Sequence, residues 1–228
     1  MAVIVDSAAF DVVKLDAHAI GLTDVAPEAS DVFVAYKRVG GRWVPWVAVA
    51  QSAALKSVGK VGYGLYTLHD LKPRRQTRLG YSPASRIGRY GGTVIKTFAG
   101  IRTREAKADM TVLARSGKEH LLLVKVNAEW AVVDGANSGA PFLHRANDAR
   151  NIPNYVNNIQ FSERGIATAT RVVPAANLNA ARSLADIASS ELLVAYGARF
   201  WDVHATLGQE RNPVVLEKAL VPFLRLKM

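Results

Sequence analysis

Short segments rich in valine and aromatic residues recur along the chain, separated by glycine or polar turns. Residues 31–38 and 43–50 flank a Gly40-Gly41 pair, which predicts a β-hairpin. The same reasoning predicts further strands at residues 64–68, 87–95, 120–126, 129–134, 166–173 and 192–196, with 120–126 paired to 129–134. Many short strands and few helices predict a mostly β fold with small helical insertions.

Helical signals are fewer. Thr103 is a suitable N-cap and Gly117 a suitable stop, so a helix is predicted between them. Leu184 and Ile187 have helical spacing, which favours a short helix over residues 177–189, and Pro213 suits the start of a last helix. Residues 72–85, which are basic and contain proline, are predicted to form a loop.

The composition excludes several functions. The chain has 228 residues and no cysteine, so disulfides, zinc–thiolate sites and cysteine nucleophiles are excluded. Its five histidines show no metal-ligand spacing, and no Gly-x-Ser-x-Gly elbow is present, so we expect neither a bound metal nor a serine hydrolase. The N-terminus is a poor secretory signal and no apolar run could cross a membrane. We therefore expect a soluble intracellular protein without membrane contact.

The positive charge is concentrated in one segment. Residues 60–118 contain 13 basic and 3 acidic residues and so carry the whole net charge of +10, while the remainder is neutral. A field of this kind attracts polyanions, and nucleic acid is a candidate partner. The alternative is a solvated charged face. The cations predicted to lie in a loop and a helix are the best candidates for contact, namely Arg74, Arg75, Arg78, Arg102, Arg104 and Lys107.

Five short motifs occur along the chain in a fixed order. They are Gly62-Tyr63-Gly64-Leu65-Tyr66, Ile87-Gly88-Arg89-Tyr90-Gly91-Gly92, Val133-Asp134-Gly135, Asn147-Asp148-Ala149 and Glu191-Leu192-Leu193-Val194-Ala195-Tyr196-Gly197. The first is not a Rossmann or P-loop sequence, because the third glycine and the following helix are absent. Together the five resemble the SET domain, a protein-lysine methyltransferase fold, over roughly residues 48–201. Residues 1–47 would then be an N-terminal extension containing the hairpin, and residues 202–228 a tail that closes the site.

The resemblance implies a fold of several small sheets with a knot-like C-terminal crossing. It also implies transfer of a methyl group from S-adenosylmethionine to a lysine of a protein substrate, with histone tails among the candidates and a nuclear location if the source is eukaryotic. The residues that match the family's functional positions fall into three groups. For the cofactor they are Gly62, Tyr63, Gly64, Asn147, Asp148 and Trp201. For the lysine channel they are Tyr90 and Phe200, and for catalysis Tyr196.

The sequence departs from the family pattern at identifiable positions. Asp148 stands where the family has histidine after Asn147, and Arg89 and Thr93 replace two acids at positions expected to face solvent or a partner. These departures leave two alternatives open. One is a non-catalytic SET-like module that binds chromatin or another partner. The other is a basic, β-rich nucleic-acid-binding protein whose matches to the five motifs are accidental. Cofactor binding distinguishes the methyltransferase from both alternatives.

Overall fold

The fold is mostly β, with several small antiparallel sheets and few helices, as the sequence predicts. The computed structural model describes residues 3–4, 10–16, 20–22, 24–27, 29, 31–57, 62–78, 80–100, 104–114, 116, 120–136, 138–146, 158–170 and 186–194.

Within the described residues, the elements occur in chain order as short strands interrupted by two α-helices and one 3-10 helix. They are β1 (Val3–Ile4), β2 (Phe10–Asp16), β3 (Asp31–Val39), β4 (Arg42–Gln51), α1 (Ala53–Ser57), β5 (Tyr63–Thr67), β6 (Arg75–Thr77), β7 (Gly80–Ser82), β8 (Arg86–Arg89), β9 (Gly92–Phe98), α2 (Arg104–Ala114), β10 (Leu121–Val126), β11 (Glu129–Asp134), the 3-10 helix Leu143–Arg145, β12 (Ile159–Phe161), β13 (Ile166–Ala169) and β14 (Leu192–Leu193).

The largest sheet has five antiparallel strands in the order β14-β5-β4-β3-β2. Its β3–β4 hairpin confirms the prediction from the glycine pair, because Gly40 and Gly41 have φ of 56° and 82°. Two consecutive left-handed residues are what a tight two-residue hairpin turn requires, and glycine adopts them without steric cost.

Two further sheets contain β1 and the strands from β8 to β13. One has four strands in the order β1-β9-β11-β10, and the other has three in the order β12-β13-β8. The predicted pairing of residues 120–126 with 129–134 is confirmed by β10 and β11, which pair from Leu121↔Asp134 to Val126↔Glu129. The helix predicted after Thr103 is confirmed by α2.

Three local predictions are wrong in the described residues. Residues 72–85 are not only loop, because β6 and β7 form a small hairpin within them. Residues 87–95 are not one strand, since β8 and β9 belong to different sheets and the chain breaks at Tyr90-Gly91. The helix predicted over 177–189 does not include residues 186–189, where Ile187 makes an isolated bridge to Leu71. The rest of that helix and the helix predicted from Pro213 lie outside the described residues.

The N-terminal region is integrated with the β5 segment of the same sheet. The predicted boundary at residue 47 falls inside β4, which also pairs with β5. Asp24 adds a second link: its carboxylate accepts hydrogen bonds from Ser52 Oγ (2.6 Å) and the Ala54 N–H (3.2 Å), and its carbonyl accepts one from Tyr66 Oη (2.9 Å). Because the Leu55 N–H donates to Ser52 Oγ, the same contacts cap α1.

One hydrophobic core is shared by the three larger sheets. It includes Val47 and Leu65 of the five-stranded sheet, Val133 of the four-stranded sheet and Ala167 of the three-stranded sheet. Tyr90, at the break between β8 and β9, is buried in this core. The described parts of four of the five motifs are therefore carried by elements with a common packed interior, and the Asn147 motif lies outside the described residues.

Candidate functional site

The Gly62–Gly64 turn opens β5 and is fixed by the backbone at the start of the preceding helix. Gly62 has φ of 61°, and its carbonyl accepts a hydrogen bond from the Ser52 N–H at 2.5 Å. A Cβ on Gly64 would overlap Leu192 Cδ1 of β14. Glycine at position 64 therefore allows the first and last motifs to approach each other closely.

The last motif runs antiparallel to the first. Leu192 pairs with Tyr66 and Leu193 with Leu65, and the Thr67 N–H donates to the Glu191 carbonyl at 3.1 Å. Residues 191–194 of this motif are described, and Tyr196 lies two residues beyond them.

Asn158 ties the last motif to the chain that comes after the Asn147 region. Its side chain is 1 % exposed and makes three hydrogen bonds. Nδ2 donates to Glu191 Oε1 (3.1 Å) and to the Leu192 carbonyl (2.8 Å), while Oδ1 accepts from the Val194 N–H (2.8 Å). Asn158 is not among the residues predicted from the sequence, since an asparagine before a strand is usually a turn residue and no local pattern marks it as buried.

The 3-10 helix brings a third motif to the same place. It ends at Arg145, two residues before Asn147, and the Arg145 guanidinium carbon lies 5.7 Å from the centroid of the Tyr63 ring. A guanidinium at this distance from an aromatic face makes a favourable cation–π contact. The segment that leads into Asn147 therefore lies against the Gly62–Gly64 turn.

Tyr90 is an interior donor. Its side chain is 1 % exposed, and its hydroxyl donates to the His120 carbonyl at 2.7 Å. Burial, together with the charge of Asp134, raises the pKa of Tyr90, so the phenol stays protonated. A Cβ on Gly135 would lie 2.6 Å from Tyr90 Oη, so the Val133-Asp134-Gly135 motif packs directly on the tyrosine of the second motif.

His144, on the 3-10 helix, is a buried neutral imidazole. Its Nδ1 lies 2.8 Å from Ser138 Oγ, and its ring meets that of His120 edge-on with centroids 5.2 Å apart. Burial lowers the pKa of His144 to about 3, with smaller lowering by the charges of Arg145 and His120 and a partial offset by Asp134. The neutral ring shares one hydrogen bond with the serine hydroxyl, as acceptor or donor at Nδ1 according to which ring nitrogen carries the proton.

This geometry predicts a loss of stability in acid. An imidazole with a lowered pKa in the folded chain stabilises the fold above the ordinary pKa of about 6.5, and this stabilisation falls as the pH drops toward the folded value of about 3. Between pH 6.5 and 5 the loss of unfolding free energy from His144 should be about 1.6 kcal/mol. Urea unfolding at both pH values should show a clearly smaller loss for His144→Gln, because glutamine does not titrate. Equal losses in the two proteins would contradict the assignment.

The structure thus places part of the predicted site. Gly62, Tyr63 and Gly64 lie beside residues 191–194 and the 3-10 helix, and Tyr90 lies in the shared core. The remaining predicted site residues lie outside the described residues, and they are Asn147, Asp148, Tyr196, Phe200 and Trp201.

Arg89 and Thr93, the two residues of the second motif that stand where the family has acids, lie on different sheets. Arg89, at the end of β8, is partly exposed and its Nε donates to the Arg164 carbonyl at 3.3 Å. Thr93, on β9, is partly buried between Val3 of β1 and Asp134 of β11. The expectation that both face solvent or a partner therefore fits Arg89 better than Thr93.

Part of the basic segment is exposed. Arg74 lies over the ring of Tyr81, with its guanidinium carbon 4.3 Å from the centroid, and Arg78 is exposed nearby. For three of the other cations singled out from the sequence the structure describes the backbone only, and these are Arg75, Arg104 and Lys107. Arg102 lies outside the described residues.

Comparison with known proteins yields no family, no curated protein and no solved structure that matches this chain. Within the described ranges, no group of three or more histidine, aspartate or glutamate side chains is placed to hold a metal ion. None of the helices described is long and apolar enough to span a membrane.

Proposed function

We propose that the chain transfers a methyl group from S-adenosylmethionine to a lysine side chain of a protein. One observation carries the proposal: motifs far apart in the sequence converge on β5. Residues 191–194 pair with it, the 3-10 helix that leads into Asn147 contacts Tyr63, and Asn158 holds the last motif in place. This is the arrangement that a site shared by Gly62–Gly64, Asn147 and Tyr196 needs.

The described side chains are compatible with such a cofactor. Its methionine portion carries a carboxylate, for which a guanidinium is a suitable partner, and Arg145 lies beside the Gly62–Gly64 turn. Leu192 occupies the space that a side chain at position 64 would need. Any contact of this turn with the cofactor would therefore come from the backbone around Gly62 and from Tyr63. Asn147 would add an amide that hydrogen-bonds the methionine portion.

Bound S-adenosylmethionine supplies an electrophilic methyl group on a sulfonium. The lysine amine has a pKa of about 10.4 in water and must lose its proton before it attacks. A narrow apolar channel disfavours the ammonium form, and the phenol of Tyr196 would orient the neutral amine. Tyr90 is buried and already donates to His120, so it would shape the channel wall and not move a proton.

The direct test is transfer of labelled methyl groups from S-adenosylmethionine to a panel of histone and cell-extract proteins. Incorporation on lysine, found by mass spectrometry of the labelled band, supports the proposal. Absence of transfer to every protein of the panel would favour the non-catalytic module.

The Asn147→Ala variant should bind S-adenosylmethionine about 5- to 150-fold more weakly, since it removes one buried amide contact worth about 1–3 kcal/mol. Calorimetric titration of the variant and the wild type measures the ratio. Gln160→Ala, which truncates an exposed amide on β12, is the matched control and should bind normally. Unchanged affinity in Asn147→Ala would show that this motif is misassigned.

A further inference from the structure

A basic groove lies between the three-stranded sheet and the tip of the β10–β11 hairpin. Its volume is about 660 Å³, within the range of sites that hold small ligands. The lining combines β8, the ends of β10 and β13, and the two turns beside them. The residues are Arg86, Arg89, Lys125, Val126, Asn127, Ala128, Glu163, Arg164 and Ile166.

The groove has a marked excess of positive charge. Four cations, Arg86, Arg89, Lys125 and Arg164, face one acid, Glu163. Two of the cations, Lys125 and Arg164, lie outside the basic segment 60–118, so the fold adds charge to that segment that the sequence does not place there. Arg86 and Arg164 are exposed, and Arg89 and Lys125 are partly buried.

The backbone around the groove is held in place. The Lys125 N–H donates to the Glu163 carbonyl at 2.6 Å, and Arg89 Nε donates to the Arg164 carbonyl at 3.3 Å. The hairpin tip is set by two left-handed residues, Asn127 and Ala128, with φ of 47° and 71°. A backbone that is already held in place loses less entropy when a ligand binds than a freely moving one.

We propose that this groove binds phosphate groups, supplied by a nucleic-acid backbone or by a free polyphosphate. Three of its four cations are arginines. One planar guanidinium group can donate two parallel hydrogen bonds to two oxygens of a phosphate. The net positive charge opposes a lysine-rich substrate segment, so the groove serves a second ligand. It shares no residue with the Gly62–Gly64 turn, and phosphate binding there does not depend on methyl transfer.

The test uses the full chain and a fluorescent single-stranded oligonucleotide of about 12 nucleotides. Arg86→Glu/Arg164→Glu should weaken binding at least tenfold or so, because each reversal removes a charge-assisted contact in a partly screened site. Arg38→Glu/Arg42→Glu makes the same charge change on the exposed β3–β4 hairpin and should have little effect. Circular dichroism checks that both variants fold.

Salt dependence gives a second readout. In the neutral variant Arg86→Gln/Arg164→Gln, the slope of log affinity against log salt should fall by about 1.4, the value for two lost phosphate contacts to a single strand. Inorganic tripolyphosphate, used as a competitor, distinguishes the two sources: an oligonucleotide that binds much tighter indicates a nucleic-acid backbone, and comparable binding indicates a small polyphosphate.

Four results would overturn the proposal. The first is that neither probe binds at micromolar protein and low salt. The second is an equal loss of affinity in the groove variant and in Arg38→Glu/Arg42→Glu, which would indicate only a diffuse electrostatic field. In the third, Arg74→Glu/Arg78→Glu loses binding while the groove variant retains it, which would place the contact on the β6–β7 hairpin. The last is tighter binding of polyglutamate than of either phosphate probe, which would indicate an acidic protein.

Discussion

The Tyr196→Phe variant should lose roughly 100-fold in methyl transfer while it binds S-adenosylmethionine as tightly as the wild-type chain. The change removes one hydroxyl, whose proposed work is to orient the amine as the methyl group moves. An interaction made mainly in the transition state lowers turnover when it is removed and leaves ground-state binding unchanged.

Transfer rates with a peptide substrate and calorimetric cofactor titration separate the two effects. Tyr81→Phe is the matched control, because Tyr81 is 61 % exposed on the β6–β7 hairpin and should transfer at the wild-type rate. A Tyr196→Phe enzyme as fast as the wild type would rule out the catalytic assignment.

The Asn158→Ala variant should lose about 3 kcal/mol of unfolding free energy. The change removes three hydrogen bonds of a side chain that is 1 % exposed and leaves the Val194 N–H and the Leu192 carbonyl without that partner. For a chain of this length the midpoint of thermal unfolding should fall by about 6–12 °C.

Differential scanning calorimetry measures the shift directly. Gln160→Ala removes a comparable amide from an exposed position on the adjoining strand, so it should change the unfolding free energy by less than about 0.5 kcal/mol. A loss below about 1 kcal/mol in Asn158→Ala would mean that the last motif is held by its backbone pairing alone.

The local sequence pattern is enough to predict those elements whose tertiary contacts favour the same structure as their own residues do. The β3–β4 hairpin is predicted by a glycine pair between apolar runs, and β10–β11 by two apolar segments joined by a short turn. Such elements need no knowledge of distant residues, since turn chemistry and alternation already specify them.

The errors arise where distant contacts decide the structure. The apolar alternation of residues 87–95 continues across Tyr90-Gly91, so periodicity alone cannot show that the chain changes sheets there. The β6–β7 hairpin has few apolar residues and gave no strand pattern. Leu184 and Ile187 have helical spacing in the sequence, but Ile187 pairs with Leu71 in an isolated bridge instead.

The candidate site likewise contains residues that the sequence singles out and residues that only the tertiary fold reveals. The order of motifs along the chain suggested that Gly62–Gly64 and the Glu191 segment share a site, and the structure pairs these two segments through β5 and β14. The burial of Asn158 and the assembly of four cations in one groove depend on the tertiary fold, so no short sequence window could have shown them.

Titration of S-adenosylmethionine into the purified wild-type chain tests the proposed methyltransferase activity most directly. Binding that buries apolar surface has an enthalpy that changes with temperature, so it can release no heat at one particular temperature. Calorimetry at two well-separated temperatures avoids this false negative. We expect one-to-one binding with a Kd in the range of about 1 μM to 1 mM. Absence of heat at both temperatures, with the cofactor raised well above about 1 mM, would contradict the proposed methyltransferase and leave the groove as the better guide to function.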